Sequence, residues 1–195
     1  MSQSRSPQPI AARKSQLRRS LLDRRRSIDR QQWRDLSELL CDRLARSPVF
    51  AEARTVLGYF SFRQEPDLSP LFADRGRRWG FPRCVGRSLH WHHYQPGDRL
   101  DRGAYGILEP SAEAAAIAPE EVDLILVPAV ACDERGYRLG YGGGFYDRLL
   151  ADPRWQQKPT IAIVFDFAIF PELPIEAWDL PLQGVCSEKQ FRAIE

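Results

Sequence analysis

Two apolar runs, Val122-Asp123-Leu124-Ile125-Leu126-Val127-Pro128 and Thr160 to Phe167 (TIAIVFDF), leave this chain few ways to fold. Neither alternates apolar and polar residues as a strand with one wet face does. Both are too short for an ordinary globular helix. Runs of this kind read as strands buried on both faces. Between them lie a glycine block and a helical stretch, Phe145 to Leu150. Two buried strands flanking a helix make a βαβ unit, with parallel strands and a right-handed crossover. Helices before and after must then cover both faces of the sheet. The expectation is an α/β protein: a single three-layer α/β/α domain over residues 11–195, with a mostly parallel, Rossmann-like central sheet. Residues 1–10, polar and Ser/Pro-rich from Met1 to Pro9, read as a disordered tail.

The remaining pattern fills in the layers. From about Ala12 to Ala45 apolar residues recur near a 3.6-residue spacing: Leu17, Leu21, Leu22 and Ile28, then Trp33, Leu36, Leu39, Leu40 and Leu44. A break near Ser27-Ile28-Asp29 divides two helices, with Ser27 or Asp29 capping the second. Ser47-Pro48 ends the helical region. Thr55 to Phe62 is β-branched and aromatic and reads as a strand. A helix from Ser69 to about Asp74 and strands at Trp79 to Arg83 and Leu89 to Tyr94 follow.

Composition narrows the function classes. With 195 residues and 43% hydrophobic content the chain can bury a real core. Mean hydropathy is −0.43, and no apolar run approaches the ~20 residues of a membrane span. Met1 to Pro9 holds no apolar signal-peptide region. Cys41, Cys84, Cys132 and Cys186 are scattered with no CxxC pair, which suits reduced thiols in a cytoplasmic protein better than zinc or a disulfide framework. Net charge is +2, yet Arg13, Lys14, Arg18, Arg19, Arg24, Arg25, Arg26 and Arg30 crowd one segment against Asp23 and Asp29. A basic helix is a nucleic-acid footprint. These arginines spread around the helix, however, and read mostly as a solvated face from which a few reach a phosphorylated ligand. Lys14 stands out because Lys14, Lys158 and Lys189 are the lysines among 28 cationic residues, and lysine offers a compact point charge.

The chemistry concentrates in Arg138-Leu139-Gly140-Tyr141-Gly142-Gly143-Gly144-Phe145-Tyr146-Asp147-Arg148. Glycine is costly to order, and one would serve a turn. Four, framed by Arg138 and Asp147-Arg148, point to backbone N–H groups offered to a phosphate at a helix start. No Gly-Lys-Ser/Thr follows, so this is not a Walker loop. The third glycine of a dinucleotide fingerprint would fall at Phe145. Asp147 either complements the helix dipole, worth about 0.3–1 kcal/mol, or holds Mg²⁺ beside phosphate oxygens. Glu65, after a strand end, is either a cleft carboxylate or a solvated loop acid. His90, His92 and His93 read as ordinary strand histidines, with no metal assigned.

Taken in order, the motifs resemble the 5-formyltetrahydrofolate cyclo-ligase family. The resemblance runs from Lys14 to Glu188. It is carried by Lys14-x-x-Leu17-Arg18, Tyr59 through Glu65, Gly106-Ile107-Leu108-Glu109-Pro110, and Asp123 to Asp133 with Gly136 through Arg148. Leu173-Pro174-x-Glu176-x-x-Asp179 and Ser187-Glu188 complete it. It implies a CoA-transferase-like variant of the three-layer fold. It also implies ATP- and Mg²⁺-dependent closure of 5-formyltetrahydrofolate to 5,10-methenyltetrahydrofolate through a phosphorylated formyl intermediate. Carried over, Lys14, Arg18, Arg138, Leu139, Gly140, Tyr141, Gly142, Gly143, Gly144, Phe145 and Tyr146 would bind ATP. Phe60, Glu65, Tyr141, Gly142, Gly143, Gly144 and Phe145 would border the folate. Asp147 and Asp179 would hold the metal, and Arg138, Tyr141 and Tyr146 would act in catalysis. Trp91 would be either a stacking wall or a core residue.

The chain departs from the family pattern at Ala168, where a glutamine is expected, and at Cys132, Ser187 and Trp178. The implied partners are small molecules, without nucleic acid or membrane, and a monomer is expected. Two alternatives stand beside this reading: a nucleic-acid binder using the Arg13 to Arg30 segment, and a folate- or nucleotide-binding relative without turnover.

Overall fold

In the computed structural model, which describes residues 9–194, the two apolar runs supply neighbouring parallel strands over Leu124–Pro128 and Thr160–Ile163 only; the end of the second run leaves the sheet and turns into a 3-10 helix at Asp166–Ala168. Two helices come first, α1 (Ile10–Arg26) and α2 (Arg30–Ala45). Most of the expected tail, residues 1–8, lies outside the described residues, and Ile10 already belongs to α1. Asp29 accepts from the Gln31 and Gln32 amides at 2.9 Å each and caps α2, so the helix break falls where the sequence puts it. Ser47-Pro48 does not end the helical region. Pro48 opens α3 (Pro48–Glu52), because the first helical position needs no backbone N–H.

The strands and later helices follow: β1 (Thr55–Leu57), β2 (Arg78–Val85), β3 (Ser88–His93), β4 (Leu100–Arg102), β5 (Leu108–Pro110), β6 (Leu124–Pro128), β7 (Ala131–Asp133), β8 (Arg138–Leu139), α4 (Phe145–Ala151), α5 (Pro153–Gln156), β9 (Thr160–Ile163), β10 (Ile169–Phe170), β11 (Gly184–Cys186) and β12 (Phe191–Ala193). The main sheet has the order β12-β11-β9-β6-β1-β2-β3. Its five inner strands are parallel, and β12 and β3 close the edges antiparallel.

The inner strands divide their side chains between two cores. Leu124, Leu126, Ile161 and Ile163 join Leu40, Leu44 and Phe50 of α2 and α3 on one face. Ile125, Val127 and Ala162 join Leu21 of α1, Leu149 and Leu150 of α4 and Trp155 of α5 on the other. Each fully buried Leu, Ile or Val contributes about 1.5–3 kcal/mol. This is the three-layer α/β/α arrangement with a mostly parallel sheet that the sequence predicts.

Three local expectations change. β1 ends at Leu57, not Phe62. Past Gly58, whose amide still donates to Gly80 O at 2.8 Å, the chain leaves the sheet at the strand's carboxyl end. Tyr59 stays buried there and donates its hydroxyl to Pro66 O at 2.8 Å, so its aromatic ring marks core packing and not ladder pairing. Ser69–Ala73 is a 3-10 turn. A small sheet, β10-β7-β8, stands between β6 and the glycine block. Asp133, fully buried, fastens it by accepting from the Arg135, Tyr137 and Leu173 amides at 3.0 Å each.

Candidate active site

The strand order reverses between β1 and β6, and in an open α/β sheet the crevice at the strands' carboxyl ends beside such a switch point is where ligands bind. The segment after β1 carries Phe60 and Glu65 into that region. The β7–β8 hairpin after β6 delivers Arg138 and the glycine block. Helix α1 lies along both.

Helix α1 presents Lys14, Arg18 and Arg25 at positions i, i+4 and i+11, on the same face as Leu17 and Leu21. Lys14 pairs with Asp179. The Arg18 Nε donates to Gly140 O at 2.7 Å, and burial lowers the Arg18 pKa. Arg138 donates to Asp147 Oδ1 at 2.5 Å and to Leu180 O at 3.1 Å. Burial lowers the Arg138 pKa, against the opposing pull of Asp147, Tyr146 and Asp179. Lys14, Arg138, Asp147 and Asp179 are therefore neighbours in one charged group. The Asp147 side chain keeps 42% of its surface exposed, whereas that of its partner Arg138 keeps 5%.

The loop between them is shaped for close approach. Gly142 and Gly144 hold φ of 101° and 67°, a region that side chains rarely enter. A Cβ on Gly144 would also come within 2.7 Å of the Arg148 guanidinium. The amides of Gly142, Gly143 and Gly144 have no acceptor among the described residues. Arg148 steadies the loop from outside, donating to Gly143 O at 2.9 Å and to Arg87 O at 2.7 Å.

At the far end of α1 the chemistry changes. Glu65 is 4% exposed, which removes it from the class of solvated loop acids. It follows two left-handed residues, Arg63 and Gln64, at φ of 50° and 56°. Its Oε2 accepts from the Phe62 amide at 3.0 Å. Burial pushes its pKa up to about 7, while Arg25, the Phe62 amide and the Tyr141 hydroxyl pull the other way. Arg25, also 4% exposed, donates to the Tyr141 hydroxyl. The Tyr141 pKa is raised by burial and then by the Glu65 charge. The Tyr146 hydroxyl is buried with no partner among the described residues. Its pKa is raised by burial first; Glu65 adds to the rise and Arg138 opposes it. Tyr146 thus lies between the two groups of charges.

A cavity of ≈ 500 Å³ is lined by Arg30, Trp33, Phe60, Ser61, Asp67, Ser69, Leu108 and Gln64, the residue before Glu65. Phe60 is stacked on Phe81 with centroids 4.2 Å apart, so its ring is fixed as a wall.

Other residues singled out in the sequence fall elsewhere. Trp91 is buried against Trp155 at 6.3 Å and belongs to the core. His92 contacts Ala114 O and His93 contacts Arg78, and no group of three or more His, Cys, Asp or Glu poised for a metal occurs among the described residues. Ala168 and Cys132 are buried in the core. Trp178, beside Asp179, is 67% exposed. All four cysteines are free thiols, and among the described residues no helix is long and apolar enough to cross a membrane. Arg25 is the site residue that the sequence reading passed over. Its signal was present, since a cation eleven residues after Lys14 returns to the same helix face as Leu21.

A sequence model of the 5-formyltetrahydrofolate cyclo-ligase family matches residues 10–188. The 5-formyltetrahydrofolate cyclo-ligase of Escherichia coli K12 is 33% identical over 171 residues, covering 83% of this chain and 93% of that protein. That of Mycolicibacterium smegmatis is 34% identical over 189 residues, covering 91% and 94%. The NMR structure of Aquifex aeolicus 5,10-methenyltetrahydrofolate synthetase superposes with a TM-score of 0.83 at 35% identity, covering 93% of this chain and 92% of that one. With the family model matched over most of the chain and the fold shared with a synthetase at 35% identity, this chain belongs to the 5-formyltetrahydrofolate cyclo-ligase family.

Proposed function

We infer that the protein closes 5-formyltetrahydrofolate to 5,10-methenyltetrahydrofolate at the expense of ATP. The observation that carries this reading is the meeting of two unlike half-sites on one glycine block. Arg138, Lys14 and Arg18 gather cations at its start, and Tyr141 within it faces a buried carboxyl at Glu65.

The chemistry required is activation of an amide oxygen. The formyl oxygen is a poor leaving group until it is phosphorylated. It attacks the γ-phosphorus of ATP and ADP leaves. The nitrogen at position 10 then attacks the formyl carbon and loses its proton. The C–O bond breaks, and the original formyl oxygen departs within inorganic phosphate. Aligning the two substrates and neutralising phosphate charge are the protein's main tasks.

Each residue set has its part. In the protein alone the cations are bonded to the chain's own oxygens, so an incoming triphosphate exchanges partners with them. Lys14, Arg18 and Arg138 turn to phosphate oxygens, and the free amides of Gly142 to Gly144 add directed donors. Leu139 to Tyr146 wrap the triphosphate. Asp147 and Asp179 then lose their cationic partners. Two carboxylates completed by phosphate and water suit Mg²⁺, which supplies positive charge to the phosphate oxygens when bound.

On the other side, Glu65 accepts two N–H groups of the pterin's aminopyrimidine edge, with Phe60 walling the adjoining cavity. The unpartnered Tyr146 hydroxyl, between Glu65 and Arg138, is a donor aimed at the junction where formyl oxygen and γ-phosphate meet. A buried hydroxyl left unpaired costs about 1–3 kcal/mol, which a substrate oxygen recovers.

The nucleic-acid reading has less support, because Lys14, Arg18 and Arg25 direct their charges into the chain's own site. Ala168 is buried in the core cluster against which Tyr141 and Tyr146 pack. The test is the absorbance of the methenyl product from 5-formyltetrahydrofolate, with and without ATP and Mg²⁺. Product that depends on both is expected. Its absence at high enzyme concentration, with both ligands bound, would favour the relative without turnover.

A further inference from the structure

Arg25 is a buried cation with an unusual set of neighbours. No carboxylate forms a salt bridge with it among the described residues. Its Nη2 donates to the Tyr141 hydroxyl, its guanidinium lies 5.5 Å from that ring's centroid, and its Nε has no partner among the described residues. Burying a guanidinium so incompletely bonded is costly.

The same corner of the fold holds Glu65 from behind. Gln64 Nε2 donates to Ile28 O at 2.9 Å, and Trp33 Nε1 donates to Glu65 O at 2.9 Å. The left-handed turn at Arg63-Gln64 is thus tied to the end of α1 and the start of α2, while Arg25 reaches past it to the residue that faces the Glu65 carboxyl.

We propose that Arg25 is a positioning residue: it holds the Tyr141 hydroxyl toward the Glu65 carboxyl, and so sets the orientation of the group that grips the pterin. Arg25 N–H donates to the Tyr141 oxygen, which leaves the Tyr141 O–H free to turn to the Glu65 carboxyl. Polarisation along such a chain strengthens its last bond. The groups facing Glu65 are Arg25 from α1, Tyr141 from the glycine block, Tyr146 from α4, Tyr59 from the segment after β1, and Arg63 from its own turn. Among these, Arg25 is the strongest influence favouring the carboxylate. Lysine in its place keeps a charge but loses the planar fork. The pterin part of the proposal rests on the cyclo-ligase reading above.

The test uses the full chain with Arg25→Met, Arg25→Lys, Tyr141→Phe and the Met/Phe double variant. The Glu65 carboxyl is followed by carbon NMR against pH in the protein without substrates, and steady-state kinetics are measured for both substrates. The Glu65 midpoint is expected to rise in Arg25→Met and to lie nearer the parent value in Arg25→Lys. The KM for 5-formyltetrahydrofolate should rise about tenfold in Arg25→Met, in proportion to a lost charge-assisted bond, with the KM for ATP unmoved. The double variant should be no worse than the poorer single one, the sign of coupled residues.

An unmoved Glu65 midpoint, additive KM effects, or equal rises in both KM values would overturn the proposal. A parent protein that fails to turn over would refute the activity, while the NMR titration still decides the positioning claim. Should Arg25→Met not fold, Arg25→Lys and Tyr141→Phe decide the same questions.

Discussion

At the Lys14 end of α1, charges are paired with charges and their partners are open to exchange. At the Arg25 end, about 16 Å further along a helix that rises 1.5 Å per residue, a carboxyl and a guanidinium are sealed from water, and the guanidinium is bonded to a tyrosine. The first arrangement suits a polyanion, because ion pairs reshuffle when a stronger anion arrives. The second suits a flat heterocycle, because desolvated hydrogen bonds are directional and punish a misplaced partner. One helix and one glycine block serve both, so in the proposed reading the two substrates are held at a fixed separation.

The comparison can be broken by variants that should disturb one half alone. The largest effect belongs to Arg138→Met. Removing this buried guanidinium should lower kcat by about a hundred- to a thousandfold, the range for a lost charge stabiliser in a transition state, with folding preserved by circular dichroism. An unfolded variant would assign Arg138 to the scaffold.

Glu65→Gln should raise the KM for 5-formyltetrahydrofolate by about tenfold or more while the KM for ATP stays put. A matched rise in both would merge the two halves. The same variant carries a stability signature. Burial raises the Glu65 pKa from 4.5 to about 7, so the folded protein holds a proton there that the unfolded chain has released. Its contribution to stability is complete below pH 4.5 and is lost as pH rises through about 7. The loss is of the order of 3 kcal/mol. Denaturant titrations at pH 5 and pH 8 should show this fall in the parent relative to Glu65→Gln, and parallel curves would contradict it.

Tyr146→Phe should leave stability unchanged or raised, since it deletes an unpartnered buried hydroxyl, yet lower kcat by about tenfold. The smallest effect is that of Asp29→Ala. Loss of the α2 cap should cost about 1 kcal/mol in chemical denaturation, with turnover within about twofold of the parent.

How much of this the sequence carried differs from place to place. The βαβ core was legible because the apolar runs around Leu124–Pro128 and Thr160–Ile163 are too continuous for any setting but a sheet covered on both faces, although the second run outlasts its strand and ends in a 3-10 turn. The break at Asp29 was legible because capping is local chemistry. The end of β1 was not, since Tyr59 and Phe60 look the same whether they pair in a ladder or pack from a loop. The β7–β8 hairpin was hidden because its short strands adjoin the β6 run and its anchor, Asp133, bonds to Leu173 far along the chain.

In the candidate site, Lys14, Arg18, Arg138, Asp147 and Asp179 were found as motif residues, and the fold brings them together. For Glu65 the sequence left burial open, and the structure decides it. Arg25 is hidden in the sequence among its arginine neighbours, and only its helix phase, shared with Lys14 and Leu21, sets it apart.

The central claim is that the two halves deliver a formyl oxygen to a γ-phosphate. It is tested most directly by running the reaction with ¹⁸O in the formyl group and weighing the released inorganic phosphate. The account predicts one ¹⁸O atom in each phosphate formed with the methenyl product. Label that appears in water, with none in phosphate, would contradict it.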